Sequence, residues 1–113
     1  MHEMSLAEGM LQVVEDTARR NDASKVSVVW LEIGTLAQIE RDALRFCFDA
    51  VARGGIAEGA RLEIIDTPGI AWCMPCGERI PITAIGDACP RCGSYQLQVV
   101  EGGDMRLKEI AIA

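Results

Sequence analysis

Two C-x-x-C-G motifs constrain this chain of 113 residues more than any other feature of its sequence. They are Cys73-Met-Pro-Cys76-Gly and Cys89-Pro-Arg-Cys92-Gly, with 12 residues between them. Two residues between paired cysteines let both sulfurs converge on one ion, and the glycine after each pair permits a tight turn. The spacing therefore predicts a tetrahedral four-thiolate site for Zn(II), held by Cys73, Cys76, Cys89 and Cys92.

The residues alone leave two alternatives to zinc open. Disulfide bonds are the main alternative to a metal, and iron in a rubredoxin-like electron carrier is the competing ion. Four thiolates leave no position for water, which favours a structural ion over a catalytic one. A segment of this size buries too little apolar surface to fold unaided, so the ion would supply folding free energy. Cys47, the fifth cysteine, is interpreted as a buried small hydrophobe.

Two helices are predicted from the spacing of apolar residues and from end signals. A capping box at residues 5 and 8 predicts a first helix that begins at Ser5, which leaves residues 1–4 as a tail outside it. This helix would end near residues 19–22, and its predicted apolar face comprises Leu6, Met10, Val13, Val14 and Thr17. The second helix is predicted from about residue 40 to 53, with an apolar stripe of Leu44, Cys47, Phe48 and Val51.

Alternating apolar residues predict strands over residues 25–33, 61–66 and 105–112. Residues 70–101 differ, because they hold the four paired cysteines, three of the four prolines and only short strand-like pieces at 79–83 and 95–100. The sequence therefore predicts an α+β fold, with two helices on a small, about three-stranded sheet and an inserted zinc-ribbon-like lobe. The predicted domains are residues 1–69 with 102–113, and residues 70–101, with Gly102-Gly103 as a hinge.

Charge and hydropathy exclude several classes of function. The net charge is −6, and four zinc-bound thiolates would take it to about −8, so nucleic acid is not an expected partner. The chain has no apolar run that could span a bilayer and no signal-peptide pattern, so we expect a cytoplasmic protein without a membrane partner. Since neither a phosphate-binding loop nor a catalytic triad pattern is present, an enzyme is not expected.

The only histidine in the chain is His2. The α-amine of Met1, the amide nitrogen of His2 and the His2 imidazole can form fused chelate rings around one metal ion. Planar, nitrogen-rich sites of this kind suit Ni(II) or Cu(II). The fourth ligand stays open between Glu3, through its amide or carboxylate, Glu40, water and a partner's side chain. The alternative is an exposed histidine without a role.

Several segments together match a known family. They are the N-terminal Met1-His2-Glu3-Met4-Ser5, the strand end Leu31-Glu32-Ile33-Gly34, the helical Leu44-Arg45-Phe46 and both cysteine motifs. With these segments the chain resembles, essentially from end to end, the HypA/HybF family of nickel-insertion accessory proteins for [NiFe] hydrogenase maturation.

The resemblance implies a nickel metallochaperone that works with the GTPase HypB and delivers Ni(II) to the hydrogenase large subunit. It implies that His2 is a nickel ligand, with the Met1 amine and Glu3 beside it. It places Glu40 where some members have an acidic residue linked to the nickel site, and it assigns the four paired cysteines to a structural Zn(II) site. Some members carry an extra histidine near the zinc lobe, which this chain lacks.

A second function stays open beside nickel delivery. In it the chain is a structural zinc-ribbon module for protein interactions, and His2 is incidental. The sequence also leaves the oligomeric state open, with a homodimer among the expectations.

Overall fold

The computed structural model describes residues 2–113. In chain order its elements are α1 (Glu3–Arg20), β1 (Val26–Gly34), α2 (Arg41–Ala52), β2 (Arg61–Thr67), β3 (Gly69–Cys73), β4 (Glu78–Ile82), β5 (Leu97–Glu101) and β6 (Met105–Ile112). The strands form two three-stranded sheets, ordered β2-β1-β6 and β4-β3-β5. This architecture confirms the predicted α+β fold class. Neither helix of the described chain has the length and apolar character needed to cross a membrane.

The chain divides into two compact units. The first comprises the residues up to Leu31, Ile39–Ile64 and Arg106–Ala113, and it contains both helices. The second comprises Glu32–Gln38 and Ile65–Met105, and it contains all four paired cysteines. The domain boundaries at residues 69/70 and 101/102 stay a prediction.

Helix α1 begins two residues earlier than predicted, so the capping box at residues 5 and 8 is wrong. His2 occupies the N-cap position, and its carbonyl oxygen accepts the amide of Leu6 at 3.1 Å. The Glu3 side chain lies in the first turn, where a carboxylate is stabilised by the positive end of the helix dipole. It also accepts a hydrogen bond from the amide of Glu40. A contact between residues distant in sequence therefore accompanies the earlier helix start.

Small side chains form much of the buried face of α1. The buried residues are Ala7, Met10, Val14 and Ala18, whereas Val13, predicted on the apolar face, is 44% exposed. Alanines at both ends of the face let another element approach the helix axis closely. The observed buried face is therefore rotated around the helix relative to the predicted one, because the predicted face leaves out the alanines.

The two helices pack side by side and run in the same direction. Glu3 at the start of α1 meets Glu40 at the start of α2, and a Cβ added to Gly55, just beyond α2, would lie 3.3 Å from Glu15 Oε2. The ends of α2 agree with the prediction to within one residue. Its buried residues are Leu44, Phe48 and Ala52.

Strand β1 is the central strand of the first sheet. Val29, Leu31 and Ile33 are fully buried and alternate along the strand, so they share one face of the sheet. The strand β6 has the bounds predicted for the third strand, and β2 extends one residue further than predicted.

The sequence pattern does not predict β3, because Pro68-Gly69 resembles a strand end. In the structure only Pro68 separates β2 from β3, which begins at Gly69. Strand β3 pairs with both β4 and β5, antiparallel in each case. Through these pairings, the strand-like pieces predicted in the cysteine region form a sheet with β3.

Close backbone crossings in the second unit require glycine. A Cβ added to Gly34 would lie 1.9 Å from the carbonyl oxygen of Gly102. Gly102 itself has a φ of +81°, and a Cβ there would lie 2.4 Å from the oxygen of Pro68. The amide of Leu36 donates to the same Gly102 oxygen at 2.9 Å. Gly102, in the predicted hinge at residues 102–103, therefore lies at a tightly packed, hydrogen-bonded crossing.

Replacing Gly34 by Ala should lower the free energy of unfolding by about 2–4 kcal/mol, because the new methyl group collides with backbone. Gly9→Ala is the matched control, since within the described chain a Cβ there meets nothing within 4 Å. That control should stabilise α1 by about 0.5–1 kcal/mol. Urea unfolding of the metal-loaded proteins, followed by circular dichroism, measures both values. Equal stability of the two variants would contradict the crossing.

Candidate metal sites

The four paired cysteines converge on one point of the second unit. The sulfurs of Cys73 and Cys92 are 3.6 Å apart, those of Cys76 and Cys89 are 3.9 Å apart, and all four lie within 4.8 Å of one another. A tetrahedron of metal–sulfur bonds of about 2.3 Å has sulfur–sulfur edges of about 3.8 Å. The observed distances fit that tetrahedron and are far longer than a disulfide bond of about 2.05 Å. The arrangement fits a metal ion and does not support the disulfide alternative.

Both cysteine motifs form the same tight turn. The amide of Gly77 donates to the oxygen of Cys73, and the amide of Gly93 donates to the oxygen of Cys89, each at 2.8 Å. The two glycines have φ angles of +64° and +76°, which residues with a Cβ adopt rarely. The amide of Arg91 also donates to the Cys89 sulfur at 3.4 Å. The glycine after each pair therefore has the role in the turn that the sequence analysis expected.

The crowded thiols have unequal pKa values. The Cys92 side chain, followed by that of Cys73, raises the pKa of Cys76 to about 12, and burial raises the pKa of Cys73. The backbone amide of Cys92 lowers the pKa of Cys89 to about 7. Thiolates this close repel one another, so a divalent cation between them would stabilise the state in which all four are ionised.

Leu36 supports the cysteine cluster, although the sequence analysis does not identify it. It is 4% exposed and belongs to the core of the second unit, with Ala71, Cys73, Ile80, Ile82 and Cys89. Its only sequence signal is an apolar side chain in the turn that follows β1. This core is small, and two of its members are cysteines.

His2 lies at the start of α1 and is exposed, whereas Met1 is outside the described residues. The backbone of His2 is extended, with φ −89° and ψ 113°. The amides of His2 and Glu3 are among the first four of the helix, which have no intrahelical acceptor. A metal ion can therefore replace their protons without breaking the backbone-to-backbone hydrogen bonds of α1.

Glu3 and Glu40 are hydrogen-bonded to each other. The amide of Glu40 donates to Glu3 Oε2 at 3.2 Å, and this contact, followed by the amide of Glu3 itself, lowers the pKa of the Glu3 carboxyl group. Glu40 is the N-cap of α2, and its carboxylate accepts the amides of Asp42 at 3.2 Å and Ala43 at 2.6 Å. The structure therefore brings Glu40 to the residue that follows His2, and both carboxylates already accept backbone amides.

Cys47 lies in α2, half-buried and outside the four-sulfur cluster, so it provides a matched control for the cluster. Cys76→Ala should lose the bound metal and unfold the second unit, because a structural zinc site contributes on the order of 10 kcal/mol to folding. Cys47→Ala should keep about one metal ion per chain. Elemental analysis and amide NMR spectra measure metal content and folding. A Cys76→Ala protein that keeps metal and fold would exclude the four-thiolate site.

Comparison with known proteins agrees with these observations. A family model described as hydrogenase/urease nickel incorporation, metallochaperone, hypA, matches residues 1–112. The hydrogenase maturation factors HypA of Dechloromonas aromatica and Albidiferax ferrireducens are 60% and 56% identical over 112 residues, which is 99% of each chain.

A solved structure supports the fold independently. The solution structure of the Ni metallochaperone HypA from Helicobacter pylori aligns with a TM-score of 0.78 over 99% of this chain and 97% of that chain. At 24% sequence identity this likeness supports the fold, whereas the family match and the identity to the relatives carry the assignment. The chain therefore belongs to the HypA family of nickel-incorporation metallochaperones for hydrogenase maturation.

Proposed function

We propose that this chain binds Ni(II) at its N-terminus and delivers it for the maturation of [NiFe] hydrogenase. The observation that carries the proposal is the exposed His2 at the N-cap of α1, in a chain of a nickel-incorporation family. The proposed donors are the Met1 amine and the amide and imidazole nitrogens of His2, with Glu3 beside them. Glu40 is an alternative donor.

The surroundings of His2 suit a metal that is passed on. The imidazole is exposed, and the proposed donors come from the first residues of the chain, so another protein can approach the ion directly. The affinity order of divalent metals places Cu(II) above Ni(II). Selectivity for nickel would therefore depend on metal availability and on the partners.

The second metal of the proposal is a structural Zn(II) bound by Cys73, Cys76, Cys89 and Cys92. Thiolates suit zinc, and a complete set of four leaves no position for a reacting water. The same donors accept iron, but the helical unit that accompanies the cluster has no evident use in an electron carrier. The proposed protein is accordingly a binding and delivery protein, not an enzyme.

The proposed partners are the GTPase HypB and the large subunit of a [NiFe] hydrogenase. The support is the family description, which refers to nickel incorporation, and the names of the relatives, which refer to hydrogenase maturation. The alternative function, a zinc-ribbon interaction module without nickel delivery, requires the same cysteine site but no nickel bound through His2. Nickel titration therefore distinguishes the two functions.

Zinc-loaded protein should bind about one Ni(II) per chain. His2→Ala should weaken that binding at least about 100-fold, because the variant lacks the imidazole donor and the chelate ring that joins the imidazole to the amide nitrogen. Isothermal titration measures the affinity, and elemental analysis verifies that zinc is retained. Met4→Ala is the matched control, since Met4 is an exposed side chain of the first turn. Equal nickel binding by His2→Ala and the parent chain would favour the interaction module.

Three glycines added before Met1 should weaken nickel binding at least about 10-fold, because the α-amine then lies too far from the imidazole to share its chelate rings. The zinc content should not change. The same three glycines added after Ala113 are the control for the extension itself. Undiminished affinity in the N-terminally extended protein would show that the amine is not a ligand.

A further inference from the structure

Glu40 is held in place by three hydrogen bonds at the start of α2. Its carboxylate accepts the amides of Asp42 and Ala43, and its carbonyl oxygen accepts the amide of Leu44 at 3.0 Å. Its own amide donates to Glu3 Oε2. Glu40 is therefore a fixed donor for the side chain of Glu3.

The start of α1 depends on this donor more than on a cap of its own. Within the described residues, the side chain of His2 makes no capping hydrogen bond. The Glu3–Glu40 bond instead joins the first residue of α1 to a residue 37 positions later. We name this bond, together with the cap that Glu40 forms on α2, the Glu3–Glu40 latch.

Nickel ligation by either carboxylate would compete with the latch. Glu40 could turn its carboxylate towards the metal only by releasing the amides of Asp42 and Ala43, which uncaps α2. Glu3 could offer Oε2 only by releasing or sharing the amide of Glu40. Since the two helices begin side by side, the positive ends of their dipoles also stabilise both carboxylates in their present positions.

We propose that Glu3 and Glu40 are positioning residues, whose carboxylates hold the start of α1 against α2 and do not coordinate nickel. The inference rests on the proposed nickel site and specifies it, because it removes the carboxylates of Glu3 and Glu40 from the alternatives for the fourth nickel ligand. The nitrogen donors of the first residues hold the ion, and the latch fixes the helix turn from which they project.

Substitutions at Glu3 distinguish positioning from ligation. Glu3→Ala removes the acceptor and should weaken Ni(II) binding about 10-fold, because a smaller fraction of molecules has the first turn formed. Glu3→Gln keeps a side-chain oxygen that can accept the Glu40 amide, and should weaken binding by less than about 3-fold. Glu8→Gln removes one negative charge from the exposed face of the same helix and serves as the control, with unchanged affinity expected.

Glu40 is tested in the same way, because asparagine is a preferred N-cap residue. Glu40→Asn should keep α2 capped and weaken nickel binding by less than about 3-fold, whereas Glu40→Ala should weaken it about 10-fold. A ligand role predicts equal losses for the two variants, since neither side chain has a carboxylate.

Hydrogen exchange of the Glu40 amide gives a readout independent of affinity. We expect this amide to stay protected when Ni(II) is added to the parent chain, and to lose protection in Glu3→Ala with or without metal. Loss of protection on nickel loading, or a Glu3→Gln affinity as low as that of Glu3→Ala, would overturn the positioning role.

Failure of the nickel site itself would look different from failure of the latch. If His2→Ala and the parent chain bound nickel equally, the proposed function would fail, while the exchange of the Glu40 amide in metal-free protein would still report on the hydrogen bond. If His2 proved essential and Glu3→Gln lost binding completely, the proposed function would stand and the latch proposal would be wrong.

Discussion

Convergence of four sulfurs on one point is the interaction on which the second unit depends. The apolar core around them is small: apart from two of the cysteines it contains Leu36, Ala71, Ile80 and Ile82. Ordering the backbone of each residue opposes folding by about 1–2 kcal/mol, and this core buries little apolar surface with which to offset that loss. A tetrahedral ion would hold both cysteine turns at once. It would also stabilise the ionised form of Cys76, whose pKa is raised to about 12 chiefly by hydrogen bonds with the side chains of Cys92 and Cys73.

The two proposed metal sites differ in the way that their proposed roles require. The cysteine cluster would be closed to further ligands although Cys92 is exposed, since its four donors would complete the tetrahedron around an ion. The N-terminal site is open, because His2 is exposed and precedes the first helical residue. A closed site suits an ion that stays with the protein, whereas an open one suits an ion that another protein can take. The proposed Glu3–Glu40 latch would limit how much the open site can move.

Much of the fold could be predicted from the sequence because its signals are local. Glycine after each cysteine pair marks the turns, and the alternation of Val29, Leu31 and Ile33 marks the buried face of β1. Features that depend on distant contacts were wrong or missing. The earlier start of α1 accompanies the hydrogen bond from Glu40, and β3 is defined by its pairing with β4 and β5. Cys47 is half-buried, because the buried face of α2 follows Leu44, Phe48 and Ala52.

The sequence by itself determined the four-thiolate donor set, the fold class and the candidate nickel residue His2, since each follows from residue type and spacing along the chain. Only the tertiary structure showed that the four sulfurs lie within 4.8 Å of one another and that Leu36 belongs to the core around them. It also decided that Glu3 and Glu40 share a hydrogen bond across 37 positions. Spacing specifies which atoms are near along the chain, whereas packing decides which distant atoms meet.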